Sequence, residues 1–175
     1  GKKYLRILNK KLNRKRDNIF IFDKVFSKNK KKINNYFYNS SEINKLSYNF
    51  SLSIISTPSN SHFQDVVKLI GKSNSILIEK PFVLSLKHAN KLIELSKYHK
   101  VKMYVCFQNR LNKSIQYLVQ KKRIFNKPFY IDCCLFWHRD FNYYKNNWRG
   151  NYSSDGGVLT NQAIHLLDTI TYLFG

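Results

Sequence analysis

Two short segments carry residue types that together could move a proton on or off a hydroxyl group. In the first, Lys80 ends an apolar, strand-like run and is followed by a proline, which restricts the backbone at this point. In the second, a glycine turn leads into a helix-like segment in which Asn161, His165 and Asp168 are spaced i, i+4 and i+7 and so share one face. An amine, an imidazole and a carboxamide are suited to general acid–base chemistry, provided that the fold brings Lys80 to His165.

Each of these residues also has an interpretation without chemistry. A lysine at the end of a strand is often a solvated terminus, and a histidine on an apolar helix face is often a core residue. A lysine that is desolvated near another cation instead has a lowered pKa and can exchange a proton with a substrate oxygen. Three polar groups on a face otherwise made for packing call for an explanation, and the residues alone leave the structural and the catalytic interpretations open. Asp168 is interpreted as a structural residue that orients the histidine or binds backbone.

The elements that must position these residues are predicted from hydrophobic periodicity. Strands are predicted at residues 18–23, 50–56, 76–79 and 101–107, and helices at residues 2–12, 62–70, 86–98, 112–122 and 158–174. Such alternation indicates a parallel sheet with crossover helices, in which ligands lie at the carboxyl ends of the strands. We therefore expect the residues at those ends to form one edge of the site: Asp23, residues 57–60, Lys80 and residues 108–110.

The remaining segments predict a second domain and a chain that is cut short. Residues 129–137 resemble the first strand of another sheet. Residues 139–152 are predicted to form a loop rich in groups that could bind a ligand, and residues 28–32 to form a solvated helix face. Because a lone strand cannot form a sheet, we expect a truncated C-terminus. Asp23 follows Gly1 at about the spacing that separates a dinucleotide-binding glycine turn from its ribose-binding acid, so we also expect a truncated N-terminus. The predicted domains are residues 1–110, which bind a dinucleotide, and residues 111–175.

Composition limits the class of partner. The 175-residue chain is 43% hydrophobic and has a formal net charge of +21, which would favour nucleic acid or another polyanion. The lysines are spread along the chain and accompany an excess of Asn, Ile, Tyr and Phe, as A/T-rich codons would produce, so we expect no nucleic-acid binding. The three cysteines lack a C-x-x-C pair and indicate a reducing compartment, interpreted as the cytoplasm. The histidines lack metal-ligand spacing, and no apolar run reaches the roughly 18 residues of a membrane span, so neither a metal nor a membrane is expected.

The motifs, taken in order, resemble the Gfo/Idh/MocA oxidoreductases. The segments that carry the resemblance are Gly1-Lys2-Lys3-Tyr4-Leu5, Asp23, Thr57-Pro58-Ser59-Asn60-Ser61-His62, Glu79-Lys80-Pro81, Gln108-Asn109-Arg110, and Gly156-Gly157 with the residues that follow to Asp168. The resemblance implies an α/β protein: a Rossmann-like parallel-sheet domain that binds NAD(P), here without its first strand, followed by the start of an α+β domain with a mainly antiparallel sheet. It also implies a homo-oligomer for the full-length protein.

The resemblance further implies residue roles. His165 and Lys80 would be the acid–base pair, and Asn161, which stands where the common family pattern has Asp, would lie beside them at the substrate hydroxyl. Cofactor contacts are implied for Gly1, Asp23, Thr57, Pro58, Asn60, His62, Glu79, Lys80 and Gln108. As the acid after the second Rossmann strand, Asp23 would bind the adenosine ribose and repel a 2′-phosphate, which favours NAD. NADP stays possible because Lys24 adjoins Asp23.

The segment before His165 is similar to a subgroup that oxidises the 3-hydroxyl of UDP-N-acetyl sugars, such as UDP-N-acetylglucosaminuronate, for surface polysaccharides. The similar motifs are Trp148-Arg149-Gly150, Asp155-Gly156-Gly157 and Asn161-Gln162-Ala163-Ile164-His165. Substrate contacts are implied for Trp148, Arg149, Tyr144 and Asn161, since a guanidinium suits a diphosphate and a tyrosine ring, of Tyr143 or Tyr144, suits a uracil or sugar face. For Arg149 and the two tyrosines, the alternative is a solvated loop without a ligand. For the function of the protein, one alternative is a dehydrogenase of a free polyol or hexose. The other, in a different class, is a basic module that binds nucleic acid or a polyanion.

Overall fold

Strands and helices alternate along most of the chain. The computed structural model describes residues 1–13, 16–24, 30–32, 35–45, 47–121, 130–145 and 148–175. The helices are α1 (Lys2–Lys11), α2 (His62–Ile70), α3 (Leu86–His99), α4 (Lys113–Gln120), α5 (Phe141–Tyr144), α6 (Tyr152–Asp155) and α7 (Ile164–Phe174). The strands are β1 (Ile19–Asp23), β2 (Lys30–Lys32), β3 (Asn35–Asn39), β4 (Ser53–Ile55), β5 (Ser75–Ile78) and β6 (Lys102–Val105). A π-helical turn at Leu159–Ala163 leads directly into α7.

The buried centre of the molecule is a parallel sheet in the order β4-β5-β6. Its middle strand β5 alternates, so that Ile76 and Ile78 are fully buried. The helix α2 packs against β4, β5 and α3 and buries apolar side chains at helical spacing. Together these elements form a core of Ile43, Ile55, Val66, Leu69, Ile70, Ile76, Ile78, Leu92 and Val101. The sheet therefore has the rigid base that a site at its carboxyl edge requires.

A second sheet lies beside the first and is joined to it by aromatic side chains. It has the order β1-β3-β2, with β1 parallel and β2 antiparallel to β3. The ring of Phe50 meets those of Phe20 and Phe22 edge-on, with centroids 5.6 Å and 6.4 Å apart. The expected parallel sheet thus takes the form of two three-stranded sheets, and the Rossmann-like fold class is confirmed.

Two sequence predictions differ from the structure because strand formation depends on partners. The predicted helix at residues 28–32 is wrong for Lys30–Lys32, which form β2, because the backbone of β3 is there to pair with it; residues 28 and 29 lie outside the described residues. The strand β3 itself is absent from the sequence prediction. The predicted strand at residues 129–137 has no regular structure in its described part, residues 130–137. An isolated strand would leave its backbone groups unpaired.

Most of the second half of the chain is helical. Within the described residues of 111–175, α4, α5, α6, the π-helical turn and α7 are the regular elements, and strands are absent from them. α4 and the preceding 3₁₀ turn, Gln108–Leu111, both pack against α7, which brings α7 back to the edge of the β4-β5-β6 sheet. In the part of the chain that the structure describes, every helix is too short or too polar to cross a membrane.

Candidate active site

The side chain of Lys80 connects the end of β5 to the helical segment that contains Asn161. Residues that follow β4, β5 and β6 lie at one edge of the sheet because the three strands are parallel. From this edge Nζ of Lys80 donates hydrogen bonds to the main-chain oxygen of Asn161 and, at 3.1 Å, to its side-chain Oδ1. Asn161 lies in the π-helical turn ahead of α7 and is 9% exposed. The fold thus brings two residues with predicted catalytic roles into direct contact.

His165, in the first turn of α7, lies at the same edge. Its Nε2 is 3.5 Å from Nε2 of Gln108, and its ring meets the Phe107 ring edge-on with centroids 6.3 Å apart. The Nδ1 atom is buried and has no hydrogen-bond partner among the described residues. Burial, and then the positive charge of Lys80, lowers the pKa of His165 from its ordinary 6.5. The imidazole is accordingly uncharged at neutral pH and can accept a proton.

Burial also makes Lys80 easier to deprotonate. Desolvation is the largest effect and lowers the pKa of Lys80 from its ordinary 10.5; the carboxylate of Glu79 raises it, and the guanidinium groups of Arg139 and Arg149 lower it. A half-buried ammonium with a lowered pKa is a good hydrogen-bond donor to an oxygen that gains negative charge. Lys80 and His165 together therefore offer a donor and a base at one edge of the sheet.

Asp155 is a buried carboxylate to which the sequence analysis assigns no role. It ends α6 and is 4% exposed. It accepts hydrogen bonds from the backbone N–H of Gly150 at 2.6 Å, from the backbone N–H of Gly157 at 2.8 Å and from Nδ2 of Asn161 at 3.3 Å. Asp155 thereby fastens the loop before α6 and the glycine turn to the residue that contacts Lys80. The Asp-Gly-Gly motif is the signal for this role, because Gly156 and Gly157 both adopt positive φ and let the chain fold around the carboxylate.

Asp168 pairs with an arginine and not with His165. Its two carboxylate oxygens accept hydrogen bonds from Nε and Nη2 of Arg110 at 2.9 Å and 2.5 Å. The guanidinium of Arg110 also lies 4.7 Å from the centroid of the Tyr172 ring. The prediction that Asp168 orients His165 or binds backbone is therefore wrong, although its role is structural. This ion pair holds α7 against the 3₁₀ turn that carries Gln108.

Two arginines share one tyrosine ring in the loop that precedes α6. The guanidinium carbon of Arg149 lies 4.7 Å from the centroid of Tyr143, and that of Arg139 lies 5.1 Å from the same ring. Arg149 also lies 4.6 Å from the ring of Trp148. This arginine–tyrosine cluster (Arg139, Tyr143 and Arg149) is close enough for both of its charges to lower the pKa of Lys80. An accumulation of positive charge beside Lys80 is suited to an anionic ligand.

The ring of Tyr144 packs closely against Gly150 in the same loop. A Cβ atom on Gly150 would lie 2.8 Å from the Tyr144 ring, and Gly150 has a φ of +77°, so only glycine fits there. The Tyr144 ring also meets the Tyr143 ring edge-on at 5.1 Å. Tyr143 is the tyrosine that contacts both arginines, and the substrate contact of Tyr144 stays a prediction.

The residues with predicted cofactor contacts divide into two groups. Gly1 is the N-cap of α1, whose first turn carries no acidic residue, and such a helix terminus attracts phosphate. Asp23 ends β1 and is exposed, while Glu79 and Gln108 follow β5 and β6. A helix terminus for phosphates and an exposed carboxylate for ribose hydroxyls fit a dinucleotide.

The other predicted cofactor residues hold the loop after β4 in place. His62 is 1% exposed, and its ring nitrogens lie 2.8 Å from the main-chain oxygen of Pro81 and 3.0 Å from that of Thr57. The hydroxyl of Thr57 donates to Asp65 at 2.8 Å, and Nδ2 of Asn60 donates to Ser154 at 3.4 Å. Pro58 caps the short 3₁₀ turn Ser59–Ser61. The structure thus places this loop next to Lys80, with the His62 ring beneath it.

The Rossmann-like parallel sheet places the chain in the class of dinucleotide-binding α/β proteins. The chain belongs to the Gfo/Idh/MocA family: the model of the "oxidoreductase family, NAD-binding Rossmann fold" matches residues 2–107, and that of the "GFO/IDH/MocA C-terminal domain" matches residues 116–175. NAD is accordingly its cofactor. The comparison with curated proteins found no match.

Several solved structures are similar to this chain. The WlbA dehydrogenase from Bordetella pertussis, solved with NADH and UDP-GlcNAcA, is 27% identical with a TM-score of 0.71 over 79% of this chain and 41% of that one. WlbA from Chromobacterium violaceum, solved with the same two ligands, is 21% identical with a TM-score of 0.81 over 99% of this chain and 52% of that one. A putative myo-inositol dehydrogenase from Sinorhizobium meliloti is 16% identical with a TM-score of 0.62 over 90% and 47%. The chain spans about half the length of these proteins.

The position of Asp23 predicts the choice of cofactor. We expect Asp23→Ala to reduce the preference for NAD over NADP about 10-fold or more, because a hydrogen bond to a charged group contributes about 1.5–3 kcal/mol and the repulsion of a 2′-phosphate is lost with it. The measurement is kcat/KM for both cofactors in the full-length gene product that contains this sequence. Glu94→Gln, at an exposed carboxylate on α3, is the control. An unchanged preference in Asp23→Ala would remove this role.

Proposed function

We propose that this chain forms the cofactor-binding and catalytic part of a dehydrogenase that oxidises a hydroxyl group of a nucleotide-linked sugar. The most specific form of the proposal is oxidation of the 3-hydroxyl of a UDP-N-acetyl sugar or its uronate during surface polysaccharide synthesis. The observation that carries it is the contact of Lys80 with Asn161 beside His165, at an edge that also holds the arginine–tyrosine cluster. Bound NAD supplies the acceptor for the hydride.

The residues of the chain account for the movement of the proton. With its lowered pKa, His165 is uncharged and takes the proton of the substrate hydroxyl. The ammonium of Lys80 donates a hydrogen bond to the same oxygen and stabilises the charge that develops on it. Asn161 holds Lys80 through Oδ1 at 3.1 Å, and Asp155 holds the amide of Asn161. The roles of Lys80 and His165 can also be exchanged, since both side chains have lowered pKa values.

The arginine–tyrosine cluster supports a substrate that carries a diphosphate. Two guanidinium groups on one aromatic ring keep their N–H donors available at their edges, where phosphate oxygens bind. A free hexose or polyol has no charge for these groups to bind. The WlbA structures that contain UDP-GlcNAcA add support from similar folds, whereas the fold of the putative myo-inositol dehydrogenase keeps the free-polyol alternative open.

Removal of one guanidinium tests the assignment of the substrate class. We expect Arg149→Ala to raise the KM for a UDP-sugar about 10-fold or more with a smaller loss of kcat, because a diphosphate is bound alike in the ground and transition states. Steady-state kinetics on the full-length gene product would compare UDP-N-acetyl sugars and their uronates with myo-inositol and glucose. Lys145→Ala removes an exposed cation from the same loop and should leave the KM within about twofold.

The substrate panel separates the two sugar classes. Preference for myo-inositol or glucose would reject the nucleotide-sugar assignment but would not contradict the assignment as a dehydrogenase. An equal rise in KM for Arg149→Ala and Lys145→Ala would show that only the overall charge of the loop matters.

A further inference from the structure

The hydroxyl of Tyr4 reaches from the first helix to the residue that precedes Lys80. Tyr4 Oη donates a hydrogen bond to Oε1 of Glu79 at 2.7 Å and lies 3.1 Å from Sγ of Cys106. The other oxygen of the same carboxylate, Oε2, accepts the backbone N–H of Lys80 at 3.3 Å. Glu79 is therefore held at both of its oxygens, by α1 on one side and by the main chain of Lys80 on the other.

The carboxylate of Glu79 acts on both members of the proposed acid–base pair. Its negative charge raises the pKa of Lys80 and that of His165, and so opposes the lowering caused by burial. The other charged groups that act on these two side chains are Arg139, Arg149, Asp155 and Asp168. These four groups belong to other elements, and none of them contacts Tyr4 within the described residues. The position of Glu79 can therefore be changed from α1 without disturbing them.

Tyr4 is suited to anchor a carboxylate and not to exchange a proton. Burial, followed by the hydrogen bonds to Cys106 and Glu79, raises the pKa of the Tyr4 phenol far above its ordinary value. The hydroxyl keeps its proton throughout the pH range in which an enzyme works, so it remains a donor.

We propose that Tyr4 is a positioning residue that fixes the Glu79 carboxylate beside Lys80 and so sets the pH range in which Lys80 and His165 act. The inference rests on the proposed function, because it assumes that these two side chains transfer or stabilise the proton. It adds a side chain of the first helix to an acid–base pair whose members follow β5 and lie in α7.

The test is Tyr4→Phe, which keeps the ring and removes the hydroxyl. With one oxygen released, Glu79 can turn toward solvent, and the pKa values of Lys80 and His165 both fall further. We expect both limbs of the kcat/KM profile to move to lower pH by roughly half a unit or more. A proton NMR titration of His165, assigned with His165→Gln, should show the same downward shift without any assay of turnover.

Charge and position are separated by variants of Glu79. Glu79→Asp keeps the negative charge, but its shorter side chain moves the carboxylate away from Tyr4. This variant should show the same downward shift of the His165 pKa, and it gives a test even if Tyr4→Phe does not fold. Glu79→Gln removes the charge, and in that background Tyr4→Phe should add no further shift, since coupled residues are not additive. Tyr104→Phe, at a side chain 52% exposed on β6, should leave the profile unchanged.

Two results would overturn the inference. One is that the His165 titration curve of Glu79→Asp is the same as that of the parent, and that the curve of Tyr4→Phe, where this variant folds, is the same as well. The other is an equal shift from Tyr4→Phe in the presence and absence of the Glu79 charge. Full turnover by a Lys80→Met variant would instead reject the catalytic assignment, and the His165 titration would still decide whether Tyr4 positions Glu79.

Discussion

Replacement of Lys80 by Met or of His165 by Ala is expected to lower turnover by roughly 100-fold or more, the usual loss when a positioned acid–base group is removed. In the first variant the substrate oxygen loses its ammonium donor, and in the second it loses the uncharged imidazole. The experiment measures kcat and kcat/KM in the full-length gene product and NAD binding by calorimetry. Because His165 is not among the residues with predicted cofactor contacts, the affinity of His165→Ala for NAD should stay within severalfold of that of the parent.

Matched controls lie on the exposed face of α3. Lys91→Met and His99→Ala make the same chemical changes at exposed positions and should keep the turnover of the parent. Near-parent turnover in both Lys80→Met and His165→Ala would show that the acid–base chemistry lies elsewhere.

The pH dependence of kcat/KM distinguishes the two roles. In the proposed mechanism activity requires uncharged His165, whose pKa is lowered from 6.5, so the rate should hold as the pH falls to that value and decline only below it. The same mechanism requires protonated Lys80, whose pKa is lowered from 10.5, so the alkaline limb should begin below that pH. If His165 is the base, the residual activity of His165→Ala loses the acidic limb, and that of Lys80→Met loses the alkaline one. The opposite assignment of limbs would mean that the roles are exchanged.

Removal of the Asp155 carboxylate should have the largest effect on stability. Asp155→Ala leaves three donors around a buried position without their acceptor: the N–H groups of Gly150 and Gly157 and the amide of Asn161. Each unsatisfied buried donor costs about 1–3 kcal/mol and the terms are not additive, so we expect the free energy of unfolding to fall by about 2–4 kcal/mol. Turnover should also fall, because Asn161 loses one of the contacts that hold it against Lys80. Urea denaturation and steady-state kinetics measure the two effects.

Two further variants show whether the effect depends on the buried network. Asp155→Asn keeps one carbonyl acceptor of the same shape and should lose less stability than Asp155→Ala. Asp140→Ala removes an exposed carboxylate that accepts the N–H of Tyr143 at 3.0 Å as a helix cap, and should cost only about 1 kcal/mol. Equal losses for Asp155→Ala and Asp140→Ala would contradict the assignment of Asp155 as the anchor of the loop.

The sequence predicted the elements whose apolar residues recur locally and are buried in the core. Short apolar runs predicted β4, β5 and β6, and helical spacing predicted α2 and α3, because these patterns are local to each element. The strands β2 and β3 were not predicted, and the strand expected at residues 129–137 does not form in its described part. Whether a segment becomes a strand depends on a partner that supplies hydrogen bonds, and that partner is distant in sequence.

The sequence by itself determined which chemical groups this protein can offer: a lysine at the end of a strand, and an asparagine and a histidine one helical turn apart. Only the tertiary structure decided how they are used, because a side-chain contact depends on distances between separate elements. In the folded chain, Nζ of Lys80 donates a hydrogen bond to Asn161, and Arg110 donates to Asp168. The loop before α6 is held by the carboxylate of Asp155. The fold also brings the hydroxyl of Tyr4, in the first helix, to Glu79. Burial is the main cause of the lowered pKa values of Lys80 and His165. The degree of burial of a side chain depends on the whole fold, so a local sequence pattern does not give it.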